Sequence, residues 1–343
     1  MADYGHTAGT CAARVSLGTW IDTEKGVATQ KLFDNISPEG AAVGAVVASP
    51  SKSNPDYFRH WVRDAGLTMN LVVSLYQNAT NQSDRDFYYQ KMMDYVDFSR
   101  KNQTTPNPSG DIGEPLFEAN GDPYNKGWGR PQNDSPAIRA VTLMRWAEVL
   151  LAEGKENLVR EKLYAPQLPA YTVIKADLEY TSHHWQETCF DLWEEVKGHH
   201  FYTRMMQRKA LVEGAKLADR MGDGAAASWY REQGELLSKE IAHHWNDQKG
   251  YLDTTLDRDG GADYKYSNLD ASAILGILHG DTYDGFFPVQ DPRSVATAYK
   301  LIQTFQDLYP INKNGAKGVA IGRYPEDHYD GNGFSQGNPW LLL

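Results

Sequence analysis

The stretch from Thr203 to Trp245 restricts the fold more than any other. Thr203 to Met221 reads as one long helix, Gly222-Asp223-Gly224 closes it, and Ala225 to Trp245 returns as its antiparallel partner. The same grammar recurs along the chain. Ser83 opens a helix with Asp86 in its first turn and Tyr88, Met92, Tyr95 and Val96 as an apolar stripe. Ser135-Pro136 and Asp291-Pro292 each have the favoured order of cap residue and first helical proline. Further helices are expected at about 23–35, 63–77, 165–181, 189–197 and 268–279, and strand signals are few. Long Gly/Pro/Asn-rich loops (37–60, 103–134, 310–335) alternate with plain turns. Helical pairs joined in this way imply an all-α toroid whose elaborate loops gather at one end.

Composition removes several function classes. The formal charge is −11 with no dense Lys/Arg stripe, which argues against nucleic acid or an anionic membrane as partner. No apolar run approaches the roughly 18 residues that a membrane helix needs. With 343 residues two domains would be possible, but no Ser/Gly/Pro linker marks a boundary, so one domain is expected. Cys11 and Cys189 make no disulfide framework and have no metal spacing; a single bridge between them stays open. His183-His184, His199-His200 and His243-His244 are poor chelating pairs if helical, because neighbours then point about 100° apart, and they are expected at the surface or at caps. No calcium loop is recognisable, and neither metal nor cofactor is expected. The N-terminus lacks a signal peptide. Sequons at Asn35, Asn78, Asn81, Asn102 and Asn133 nevertheless tilt towards a secreted parent protein.

Asp191-Leu192-Trp193-Glu194-Glu195-Val196 carries the most chemistry. It sets two carboxylates against an indole, and an acid beside an aromatic wall can keep the proton that general-acid catalysis needs. A solvated helical face is the plainer reading of Glu-Glu alone. Three further segments strengthen the chemical one: Tyr57-Phe58-Arg59-His60-Trp61-Val62-Arg63-Asp64, Gly127-Trp128-Gly129-Arg130-Pro131-Gln132 and Gly322-Arg323-Tyr324-Pro325-Glu326-Asp327. Each puts Arg, Asp or Glu beside Trp or Tyr. Together they suggest a pocket for a neutral, hydroxyl-rich ligand, with rings such as Trp128 and Tyr324 free to stack on a sugar face.

These segments, with Val46-Val47-Ala48-Ser49-Pro50-Ser51, Gly113-Glu114-Pro115 and Gly337-Asn338-Pro339-Trp340, resemble the fungal glucoamylases of glycoside hydrolase family 15 from about Leu17 to Leu343. The resemblance implies an (α/α)6 barrel, six inner helices within six outer ones. Residues 1–16 would be an N-terminal extension and 17–343 a glucoamylase-like catalytic domain. It implies an exo-acting hydrolase that releases β-D-glucose from the non-reducing ends of starch and maltooligosaccharides with inversion, acting as a monomer outside the cell. By matched position Glu194 is the general acid. Arg63, Asp64 and Arg323 would bind the terminal sugar, Leu192, Trp193 and Glu195 would contact ligand, and Tyr57, Trp61, Trp128 and Trp340 would form aromatic walls. Without the resemblance, a structural helix-start pair is the slightly favoured reading of Arg63-Asp64.

An inverting hydrolase needs a second carboxylate as base. In the family it lies beyond the Asn-Pro-Trp segment, and no residue of this sequence matches it. Glu326 and Asp327 belong to the ligand-binding loop and are not promoted to that role. The run Pro339-Trp340-Leu341-Leu342-Leu343 reads as a stop inside a helix, leaving the barrel incomplete at that end. Two alternatives stand beside the glucoamylase reading: a hydrolase of another α-glucoside such as trehalose, and a non-catalytic sugar-binding or regulatory protein on the same fold.

Overall fold

The computed structural model describes residues 16–315, 317–329, 337 and 341–342. Its helices are α1 (Leu17–Phe33), α2 (Val62–Asn78), α3 (Gln82–Thr104), α4 (Asp134–Ala152), the single turn α5 (Glu156–Leu158), α6 (Val173–His184), α7 (Phe201–Arg220), α8 (Gly224–Ala242), α9 (Ser272–Gly280) and α10 (Pro292–Leu308). Helices α2, α4, α7 and α9 pack in succession, and α3, α6, α8 and α10 lie against them from outside. Burial agrees with the two shells. Helix α4 is buried almost all round, from Ala137 and Arg139 to Trp146, and α7 likewise from Phe201 to Ala218. Helix α8 buries one face only, through Ala227, Tyr230, Leu237 and Ile241. A helix apolar all round belongs inside, whereas an amphipathic one belongs at the surface. The architecture is all-α and of the (α/α)6-barrel type.

The α7–α8 hairpin forms as its sequence requires. Gly222 takes φ +81°, and Asp223 caps α8 by accepting the Ala226 N–H at 3.3 Å. Asp291 likewise caps α10 by accepting the Arg293 N–H at 2.8 Å, with Pro292 in the first turn. Other boundaries move. Asn81 rather than Ser83 caps α3, accepting the Asp84 N–H at 2.8 Å. Helix α4 starts at Asp134 with no side-chain cap, so Ser135 lies inside it. The helix expected from 165 begins only at Val173, because Pro166 and Pro169 hold their preceding residues out of the helical region.

Short strands stitch the loops. Strand β1 (Arg59–Trp61) pairs with β2 (Leu116–Glu118), fastening loop 37–60 to loop 103–134. The helix expected at 189–197 is instead a hairpin of β3 (Cys189–Phe190) and β4 (Val196–His200). Strands β5 (Trp245–Asn246) and β6 (Tyr251–Leu252) form a ribbon; β7 (Thr255–Gly261) pairs with β4, and β8 (Ala320–Ile321) with β9 (Leu341–Leu342). Pairing with β7 satisfies the backbone of β4 more fully than a nine-residue helix with frayed ends would.

This hairpin also corrects the histidine reading. His200 is buried, with Nδ1 at 3.0 Å from Thr255 Oγ1 and Nε2 at 2.8 Å from the Cys189 carbonyl. His244 is buried too, with Nδ1 at 2.7 Å from the Asp253 carbonyl, and burial pushes its imidazole down to about 3. Neither is a surface residue. Cys189 is buried and forms no disulfide among the described residues, and Cys11 lies outside them. Of the sequons, Asn78 and Asn81 are exposed between α2 and α3, whereas Asn102 and Asn133 are buried. No helix among the described residues is long and apolar enough to cross a membrane.

Candidate active site

Two antiparallel ladders and one tight turn bring the expected residues together. Strand β1 delivers Trp61 to the start of α2, so Arg63 and Asp64 occupy its first turn, where an aspartate also suits the helix dipole. The β3–β4 connection carries Glu194 and Glu195. Asp191 shapes this turn: its Oδ1 accepts the N–H groups of Glu195 at 2.7 Å and Val196 at 3.0 Å, and its carbonyl accepts the Glu194 N–H at 2.9 Å. Such local capture of backbone donors by an aspartate competes with helix. Glu194 sits in the left-handed region at φ 67°, a conformation that costs a non-glycine residue about 1–3 kcal/mol. Two glycines accommodate the turn. A Cβ at Gly129 would press on Phe190 and the Glu194 carbonyl, and one at Gly261 would overlap the Glu195 carbonyl.

Glu194 is held on one oxygen. Its Oε1 accepts from the Trp61 indole at 2.8 Å and the Gln132 amide at 3.0 Å, with the Arg63 guanidinium 3.7 Å away. Among the described residues no donor reaches Oε2. Arg63 is buried and donates to Gln132 Oε1 at 2.7 Å and Asp134 Oδ2 at 3.2 Å. Its ionisation is pushed up: burial opposes the charge, but Asp134, Asp64 and Glu194 outweigh it. Asp64 lies 3.8 Å from Arg63. Its side chain is 42 % accessible, and that surface lines an open cavity. Burial pushes its carboxyl up against the pull of Arg63.

Glu195 is held on both oxygens. Arg323 reaches Oε1 at 2.9 Å and the Tyr324 hydroxyl donates to Oε2 at 2.7 Å. Burial raises its carboxyl above the usual range, with Arg323, Lys265 and Tyr324 opposing. Arg323 also grips Asp327 through two bonds of 2.7 and 2.6 Å. Glu326 accepts from Ser267, at 2.8 Å to its N–H and 3.0 Å to its hydroxyl. Both acids of this loop are thus engaged by neighbouring residues of the protein.

The cavity between these groups has a volume of ≈ 310 Å³ and is lined by Ala48, Tyr57, Trp61, Arg63, Asp64, Leu192, Trp193, Glu194, Arg323 and Tyr329. That is at the small end of ligand clefts, about 300–1,000 Å³. A larger groove of ≈ 600 Å³, bordered by Gln103, Asp111, Tyr180 and His184, contains none of the sequence-selected residues. Of those residues, Glu195 stands behind Arg323 rather than on the wall. Trp128 is at the rim, 36 % exposed and 5.8 Å from the Trp61 ring. Trp340 lies outside the described residues. Sequence reasoning passed over Tyr329, whose hydroxyl meets that of Tyr57 at 2.6 Å and joins the two walls. It also gave no role to Gln132, nor to Asp270, which accepts the Trp193 indole N–H at 3.0 Å. Gln132 stood inside a flagged segment; Asp270 had no local signal.

A carboxyl with one oxygen anchored and, among the described residues, the other open, sharing a small cavity with Arg63, Asp64 and Arg323, can deliver a proton to a bound polar ligand. The sequence profile of Glycosyl hydrolases family 15 matches residues 26–343. A glucoamylase of Blastobotrys adeninivorans is 40 % identical over 329 residues, covering 94 % of this chain and 52 % of that protein. An intracellular, sporulation-specific glucoamylase of Saccharomyces cerevisiae is 30 % identical over 352 residues, covering 95 % of this chain and 62 % of that protein. The solved glucoamylase of Saccharomycopsis fibuligera is similar with a TM-score of 0.83 at 32 % identity, over 95 % of this chain and 71 % of that one. The chain therefore spans between half and two thirds of the length of these two curated relatives.

Proposed function

The chain belongs to glycosyl hydrolase family 15, and from that premise we propose that it is the catalytic domain, from Leu17 onward, of an exo-acting glucoamylase. Its substrates are starch and maltooligosaccharides, and it releases β-D-glucose from their non-reducing ends with inversion. Glu194 is the general acid. The observation that carries this reading is its Oε1, fixed by Trp61 and Gln132 beside Arg63, with Oε2 unengaged among the described residues at the cavity wall. Arg63, Asp64 and Arg323 present rigid donors and acceptors to the hydroxyls of the terminal glucose. Tyr57, Trp61, Trp193 and Leu192 surround it, Trp128 extends the aromatic wall, and Glu195 positions Arg323.

Inversion needs a carboxylate about 6.5–9.5 Å from the acid to activate water. The other carboxylate lining the cavity among the described residues is Asp64, which we assign to the sugar because it is paired with Arg63. No described residue is assigned as base. A chain in which no residue serves as base would bind sugar and turn it over slowly, since losing a catalytic base costs about 10²–10⁴-fold. The same observation favours a sugar-binding protein as the second reading. The protein is proposed to be monomeric and extracellular, with exposed Asn78 and Asn81 as glycan acceptors; the intracellular yeast relative makes compartment a point for direct test.

Proton NMR of the chain with maltoheptaose, following the first anomer released, tests the proposal. β-Glucose that is lost in Glu194→Gln supports it. α-Glucose as first product, or turnover unchanged in Glu194→Gln, overturns it. Binding without glucose favours the second reading.

A further inference from the structure

Lys265 lies in the loop between β7 and α9, flanked by exposed Tyr264 and Tyr266, yet it is only 5 % exposed. The loop is pinned so that this side chain turns inward. Arg258 donates to the Lys265 carbonyl at 2.5 Å, and Ser267, two residues on, is tied to Glu326 and to the Tyr251 hydroxyl. The Lys265 ammonium then stands 3.3 Å from Asp191, 3.1 Å from Asp270 and 3.7 Å from Glu195, over the Tyr324 ring at 3.9 Å. Each neighbour controls a different part of the site. Asp191 shapes the turn that presents Glu194, Asp270 holds the Trp193 indole of the cavity wall, and Glu195 holds Arg323. Nothing in the reaction chemistry uses this amine directly.

Resting on the glucoamylase reading of the cavity, we propose that Lys265 is a positioning residue. Its ammonium ties the acid-bearing turn, the Trp193 wall and the Glu195–Arg323 pair into one rigid unit, and so sets how tightly the pocket holds a sugar. The charge count explains why one amine matters. Four carboxylates (Asp191, Asp270, Glu195 and Asp327) share two cations, Lys265 and Arg323. Without Lys265, Asp191 and Asp270 lose the cation they share, and Glu195 is left with Arg323, which Asp327 also claims. Glu195, already raised by burial, then gains its proton more readily and releases Arg323. Trp193 loses the fixed acceptor behind its indole.

The test uses the full chain with maltoheptaose as probe, comparing Lys265→Met, Lys265→Gln and Lys265→Arg. Binding is followed by tryptophan fluorescence across pH, and Trp193 indole exchange by NMR of the free protein. Lys265→Met should weaken maltoheptaose binding about 10- to 100-fold, the size expected when a site loosens by an ångström. The acid-side midpoint of binding should move up by about one pH unit, and Trp193 exchange should quicken. Lys265→Arg should restore all three readouts, because it keeps the charge. Lys265→Gln, gentler on the fold, should show the same pH displacement with a smaller affinity loss. An unmoved pH midpoint in both neutral variants, or unchanged indole exchange, overturns the proposal and leaves a merely structural ion cluster. If the unaltered chain binds no maltoheptaose, the glucoamylase reading falls, while the indole exchange still decides the role of Lys265.

Discussion

On the α2–α4 side of the Asp191–Val196 turn, Trp61 and Gln132 donate to one oxygen of Glu194, with Arg63 behind them, and among the described residues leave the other oxygen unengaged. On the α9 side, Arg323 and Tyr324 take one oxygen each of Glu195. Two identical side chains, adjacent in the chain, receive opposite treatment because the left-handed backbone at Glu194 splays them apart. One carboxyl keeps an oxygen that no described residue engages, as the proposed acid role needs. The other spends both on architecture, and a carboxylate so committed cannot shuttle protons without dismantling its anchor. Identity of residue type therefore says less about role than the number of donors that each oxygen receives.

The largest expected effect separates the two glutamates by activity. Glu194→Gln should lower glucose release by about 10²–10⁴-fold while leaving maltoheptaose affinity nearly intact. Glu195→Gln should instead weaken affinity more than turnover; a glucose-release assay paired with a binding titration reads both, and reversed outcomes would break the comparison. Next in size is Arg63→Met, which strands buried Asp134 and should cost about 3–5 kcal/mol of stability by urea unfolding.

The pH response should then divide the turn itself. Asp191 is held below its usual range: burial pushes it up, but Lys265, His200 and the N–H groups of Val196 and Glu195 prevail. Its contribution is present above the unfolded value near 3.9 and is lost as pH falls below it. Glu195 is raised, so its contribution is present below about 4.3 and is lost as pH rises. Urea midpoints should show the gap between wild type and Asp191→Asn closing towards acid, and that for Glu195→Gln closing towards neutrality. Gaps that close in the same direction would contradict the assigned environments. The smallest effect is expected of Tyr57→Phe, which removes the hydroxyl contact with Tyr329 across the rim and should cost about 0.5–1.5 kcal/mol in thermal unfolding.

The helical shells were legible because period, capping and hairpin glycines are local signals, as at Gly222-Asp223-Gly224 and Asp291-Pro292. Most of the cavity wall was legible through motif resemblance, since Tyr57, Trp61, Arg63, Asp64, Leu192, Trp193, Glu194 and Arg323 do converge. The conformation at 189–197 was not. Its residues tolerate a helix, and the decision comes from pairing with β7, some sixty residues on, and from bonds to Asp191 that only the turn permits. Lys265 and Asp270 were hidden for a related reason. A lysine between two tyrosines announces nothing until the fold sets three carboxylates around it. His200 and His244 misled because doubled histidines look polar, whereas each pair puts one ring inside.

Gly129 and Gly261 back onto the carbonyls of the two glutamates, where a Cβ would press on Phe190 and the Glu194 carbonyl at the first and overlap the Glu195 carbonyl at the second. Neither has a functional group, and they belong to different segments of the chain. A saturation scan scored on sugar binding should still find both nearly as intolerant as the acids they border, because even an alanine at either place would turn the carboxyls. In such a map the outline of the site would include positions whose whole contribution is the absence of one methyl group.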